Sequence, residues 1–123
     1  MAFDPQGLTL ASGGSDTTVK LWEVHSGKLL RTLVGHHARV FCVTFDPDSG
    51  TLASGSDNTV KLWDPRSGKL LQDLKEHEGR VRSITFNPQG GTLASGGHDE
   101  TITLWEARGG KLIRTFELQD SIV

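Results

Sequence analysis

The chain has a single cysteine, Cys42, so it can form no internal disulfide. A lone thiol fits a reducing compartment. Prolines number only four against fifteen glycines, which points to many tight turns rather than to disorder. There is no excess of basic charge. The formal net charge is -2, so nothing advertises nucleic acid or an anionic membrane as a partner. Long apolar runs are missing too. The longest, Val40 to Val43, is far too short to cross a bilayer. The opening Met1-Ala2-Phe3-Asp4-Pro5 lacks the charged and apolar regions of a secretory signal. No stretch keeps a helical period. The expectation is a soluble, cytoplasmic, all-β protein that binds neither nucleic acid nor membrane and needs no cofactor.

What is present is repetition. Leu-Trp occurs at Leu21-Trp22, Leu62-Trp63 and Leu104-Trp105, with tryptophan spacings of 63−22=41 and 105−63=42. Leu-Ala-Ser-Gly begins at Leu10, Leu52 and Leu93, and Gly-Lys-Leu begins at Gly27, Gly68 and Gly110. Phe-Asp/Asn-Pro begins at Phe3, Phe45 and Phe86. These mark three units, 3–44, 45–85 and 86–123, with no linker and no second domain.

Each unit reads as four short strands. In the middle copy these are Val40–Phe45, Thr51–Gly55, Thr59–Trp63 and Lys69–Leu74, separated by turns rich in Gly, Asp, Asn and Pro. Val60 and Leu62 fall on the face opposite Lys61. Such a meander is apolar on both faces and cannot bury them alone, so copies must stack around an axis as blades of a β-propeller.

The period, the Leu62-Trp63-Asp64 triplet and the Gly35-His36 pair resemble the WD40 family over essentially the whole chain. Glu23 and Glu106 stand where the family has Asp after Trp. The resemblance implies a buried hydrogen-bonded tetrad of His, Ser, Asp and Trp in each blade. It falls on His36, Ser54, Asp57 and Trp63, and on His77, Ser95, Asp99 and Trp105. The first copy supplies Ser12, Asp16 and Trp22 without a histidine. At the position that would prepare a further blade stand Leu118-Gln119. The resemblance also implies a partner-binding upper face, on His37, Arg39, Phe41, Ser56, Glu78, Arg80, Arg82 and His98.

Other chemistries fit less well. Ser, His and Asp suggest a hydrolase, but the trio repeats per unit, a Trp occupies the Ser, and no oxyanion hole is indicated. The runs Ser12-Gly13-Gly14-Ser15 and Gly96-Gly97-His98 lead into no helix and lack phosphate-loop spacing. The five histidines, His25, His36, His37, His77 and His98, do not pair with Cys or carboxylates at metal-ligand spacing. Cys42 reads as a small apolar filler. The protein is expected to be no enzyme.

Three blades cannot close a ring, since propellers use roughly 4–8. Head-to-tail contact between copies closes one when the rotation permits. Val123 is in register with Val81 and Val40, and Met1-Ala2-Phe3 with Val43-Thr44-Phe45. Ser121, Ile122 and Val123 of one copy could therefore complete the strand begun by Met1, Ala2 and Phe3 of the next. Two copies give six blades and three give nine. The bulk of Phe41 and Arg82 near the axis favours the homotrimer over the homodimer. Two alternatives stay open: a piece of a larger regulatory protein of the same family, or a designed or recently amplified propeller with no selected ligand.

Overall fold

The computed structural model describes residues 1–75, 79–98 and 100–117. Among them the strands are β1 (Ala2–Phe3), β2 (Thr9–Gly13), β3 (Val19–Glu23) and β4 (Leu29–Leu33), then β5 (Cys42–Phe45), β6 (Leu52–Gly55), β7 (Val60–Asp64) and β8 (Lys69–Leu74), then β9 (Val81–Phe86), β10 (Thr92–Gly97), β11 (Thr101–Glu106) and β12 (Lys111–Glu117). They form three four-stranded antiparallel meanders, β1–β4, β5–β8 and β9–β12. The all-β class and the four-stranded unit are those expected from the repeat. Units counted from Phe3, Phe45 and Phe86 divide the second and third sheets at the last residue of their first strands.

The sheets touch one another mainly through first and second strands, β1 and β2 against β5, and β5 and β6 against β9. Two apolar layers result. Ala11, Val19, Leu21 and Leu33 of the first sheet pack on Val43, Phe45, Leu52 and Trp63 of the second. Ala53, Val60, Leu62 and Leu74 of the second pack on Val81, Ile84, Phe86, Leu93 and Trp105 of the third. Each sheet thus has a front face bearing its Trp and a back face bearing the Leu just before it. Period-2 alternation puts these neighbours on opposite sides. Burying one such side chain stabilises by about 1.5–3 kcal/mol.

The middle sheet is covered on both sides, so Val60, Lys61, Leu62 and Trp63 are all buried. Lys61 does face away from Val60 and Leu62, but that face meets the first sheet rather than solvent.

Glycine permits this closeness at one repeated position. A Cβ on Gly13 would lie 2.5 Å from Val40 Cγ1, and one on Gly55 would lie 2.6 Å from Cys42 Sγ. Each outer strand carries a bulge opposite Leu-Trp, where Leu30, Leu71 and Ile113 are the extra residues. Bulges bend and twist an edge, which discourages pairing with other chains. The turn joining the second and third strands places Thr17, Asn58 and Glu100 at positive φ, 74°, 65° and 59°. Asn tolerates that region, whereas β-branched Thr does not.

Two outcomes follow. Leu62→Ala should lower stability by about 2–5 kcal/mol in urea unfolding, because the tightly packed layer cannot collapse around the void. Thr17→Asn should raise it, by up to about 1 kcal/mol, by relieving the left-handed strain.

Candidate functional site

The tryptophans that mark the repeat are held by serines across the second and third strands. The indole Nε1–H donates to the serine Oγ in every sheet: Trp22 to Ser12 at 2.9 Å, Trp63 to Ser54 at 2.8 Å and Trp105 to Ser95 at 2.9 Å. Strand register explains the match. Leu52 is opposite Trp63 and Ser54 opposite Lys61, so Ser54 and Trp63 share the front face.

A histidine from the preceding loop joins the middle pair. His36 Nε2 lies 2.6 Å from Ser54 Oγ, and its ring centroid is 6.1 Å from that of Trp63. Gly35 makes the approach possible, since a Cβ there would sit 2.9 Å from Trp63 Cη2. The loop after the first sheet is thereby fastened to the second. Because the indole already donates to Oγ, the hydroxyl proton is free to point to Nε2, which leaves the imidazole proton on Nδ1. His36 is 4% exposed, and Nδ1 has no hydrogen-bond partner among the described residues. Burial, reinforced by the Lys61 charge, pulls the His36 pKa down from 6.5 to about 4.

Asp57 does not join His36. It is exposed, and its backbone forms an antiparallel bridge with Arg80. Its counterpart Asp16 accepts hydrogen bonds from Lys20 Nζ at 2.8 Å, from Thr18 Oγ1 at 2.9 Å and from Thr18 N at 3.2 Å. Lys20 foremost, then Thr18, hold its carboxyl down at about 2. In the middle sheet Lys61 turns instead to Asp73, with Nζ 2.9 Å from Oδ2. Burial alone would raise the Asp73 carboxyl, but hydrogen bonds from Thr59 and Lys61 outweigh it and lower its pKa. Thr32 and Thr115 occupy the matching places in the other copies, so this ion pair belongs to the middle sheet alone. The signal for it was the cross-strand pairing of Lys61 with Asp73. His77 and Asp99 lie outside the described residues, as do Glu78, Gln119, Ser121, Ile122 and Val123.

Of the residues expected on an upper face, Arg80 and Phe41 meet. The Arg80 guanidinium lies 5.4 Å from the centroid of the half-buried Phe41 ring, a cation–π distance. Arg39, Arg82, His37 and His98 are exposed. Ser56 is not available to a partner. It is buried, its hydroxyl donates to the Arg39 carbonyl at 2.6 Å, and its carbonyl accepts from Val81 N at 2.9 Å. Its role is to tie the second sheet to the start of the third. Met1 and Phe3 stand exposed at the first sheet, with Ala2 packed on its core. Among the described residues no three His, Cys, Asp or Glu side chains converge as metal ligands would. Cys42 is a free thiol, pushed up to about 11 by burial.

The family model of the WD domain, G-beta repeat, matches residues 1–23, 27–64 and 68–106. The chain belongs to the WD40 family. Each family repeat ends on the third strand of a sheet, so residues 27–64 join β4 of one sheet to β5–β7 of the next. Among relatives, a nuclear distribution protein PAC1 of Coccidioides posadasii is 45% identical over 53 residues, 42% of this chain and 11% of that protein. A mitochondrial division protein 1 of Malassezia globosa is 48% identical over 40 residues, 32% of this chain and 6% of that protein. The PAC1 of Coprinopsis cinerea is 49% identical over 41 residues, 33% of this chain and 9% of that protein. The chain thus spans about a tenth or less of the curated relatives it matches.

Ser54→Ala should cost about 1–3 kcal/mol in denaturant unfolding, because it strips the partner from a buried indole N–H and from an imidazole at once. The histidine gives a pH signature. Between about pH 6.5 and 4 the unfolded chain takes up a proton at His36 that the folded chain refuses. Stability should therefore fall as pH drops through that window, and His36→Gln should flatten this part of the profile.

Proposed function

We propose that this WD40 chain is a non-enzymatic protein-interaction scaffold that completes a propeller by head-to-tail association of its own copies. The observation that carries the proposal is the pair of outer faces. The front of the first sheet (Phe3, Leu10, Trp22) and the back of the third (Ala94, Ile102, Leu104, Phe116) match by repeat position the residues that bury one another within the chain. Phe3 is 60% exposed, while its counterparts Phe45 and Phe86 are each at 7%. An uncovered apolar sheet face of this kind is unstable in water. A homotrimer of nine blades remains the preferred closure, with a homodimer of six second. Ser121, Ile122 and Val123 meeting Met1, Ala2 and Phe3 are its proposed junction.

The hydroxyls that a hydrolase would need are committed to indoles, which supports a structural role for the Ser–His pair. Partner proteins or peptides are assigned to the upper face, where the exposed Arg39 and Arg82, and Arg80 over Phe41, suit an acidic segment. The free Cys42 thiol supports a reducing, cytoplasmic setting. A second arrangement, in which these blades belong to a longer chain, is favoured by the small share of each relative that is matched.

Light scattering decides between them. Self-closure predicts a homogeneous particle of three times, or of two times, the 13.3 kDa chain mass at micromolar concentration. A compact monomer, or a continuous spread of masses, would overturn it. Replacing Arg39 by Glu should leave that mass unchanged and weaken capture of acidic peptides.

A further inference from the structure

Within the chain a back face is buried twice under a Trp-bearing front face, and both times it presents the same four residue types: Ala11, Val19, Leu21 and Leu33, then Ala53, Val60, Leu62 and Leu74. The back face of the third sheet is built differently. Ile102 stands where the others have Val, and Phe116 where they have Leu. Leu33 and Leu74 are 2% and 4% exposed, whereas Phe116 is 43% exposed. Two strands away on the same face, no described residue crowds the matching glycine. Gly96 is the counterpart of Gly13 and Gly55, whose Cβ positions Val40 and Val81 already crowd. At Gly96 the nearest described atom is the Thr101 carbonyl oxygen, at 3.8 Å.

The opposing surface has a matching gap. Trp22 and Ser12 are only half-buried, while Trp63 and Ser54 are fully buried. The Ser12 hydroxyl holds Trp22 as Ser54 holds Trp63, but among the described residues no imidazole approaches it. The inner seam thus has a bond from His36 that the front of the first sheet does not show.

We propose that Phe116 of one copy, seated against Trp22 and Leu10 of the next, is the anchor of the seam between copies. This rests on the head-to-tail association above. The register fixes the partner, because Leu33 shares one core cluster with Trp63 and Leu52, the counterparts of Trp22 and Leu10. The occupant is a second copy of this chain, since both halves of the contact repeat a contact that the chain already makes with itself. Exchanging Leu for Phe there adds an aromatic–aromatic pair, which is worth more than its buried area. Aromatic side chains at interface centres are also where binding energy concentrates.

The test is the concentration dependence of mass for the wild type, Phe116→Leu and Phe116→Asp, with Ile113→Asp as control. Ile113 is the bulge residue of the same strand and is equally open to solvent. Phe116→Asp should raise the dissociation constant by more than about 30-fold, and Phe116→Leu by roughly tenfold, since it restores the residue used inside the chain. Ile113→Asp should leave the constant unchanged. In the wild type, iodide quenching of Trp22 should fall on assembly, read in a Trp63→Phe, Trp105→Phe background that retains its far-ultraviolet β signal. A wild type that stays monomeric refutes the association itself. A wild type that assembles, with both Phe116 variants assembling equally well, refutes the anchor alone.

Discussion

Everything in this protein depends on one constraint: a four-stranded sheet whose two faces are both apolar must be covered on both. The repeat meets it by placing Leu and Trp next to one another in the third strand, so that one side chain reaches forward and the other back. Only the middle sheet has both neighbours within the chain. Its third strand is accordingly buried from Val60 to Trp63, including a lysine. The outer sheets keep one covered face each, and their other faces define what the molecule seeks.

Polar groups in these layers act as fasteners. Ser54 receives the indole proton of Trp63 and engages His36 from the loop behind it, so one hydroxyl links two sheets. Ser56 does the same through the backbone, joining the Arg39 carbonyl to Val81. Buried polar groups are costly unless paired, and a pairing between sheets fixes their relative position as apolar contact cannot. The Lys61–Asp73 pair is a third fastener, confined to one sheet, since Thr32 and Thr115 stand in place of the aspartate elsewhere.

Much of this was legible in the sequence. The Leu-Trp spacing and the Gly/Asp/Pro turns pointed to the strands, and the family resemblance implied the pairing of Ser with Trp that appears in all three sheets. The illegible parts are those that a neighbour decides. Lys61 looks like a solvent-facing residue until the first sheet covers it. Asp57 looks like the partner of His36, yet the chain bridges it to Arg80, and its lysine neighbour turns to Asp73, which no other copy possesses. Ser56 looks like an upper-face residue by the family resemblance, yet its hydroxyl turns inward to the Arg39 carbonyl, a bond that glycine at the matching positions 14 and 97 cannot make. Local pattern fixes strand and face, whereas burial of a given face depends on which unit lies beside it.

The mismatch between repeat and sheet has a wider consequence. Because residues 27–64 and 68–106 each carry the outer strand of one sheet and three strands of the following one, no unit is a self-sufficient brick. Duplicating or deleting a whole unit in the gene would preserve the pattern of strands at every boundary, while the side chains there would change with the unit that ends the chain, as Phe116 differs from Leu33 and Leu74. A gene of this kind can gain or lose sheets in whole units, but each such step also changes which side chains stand at the terminal faces.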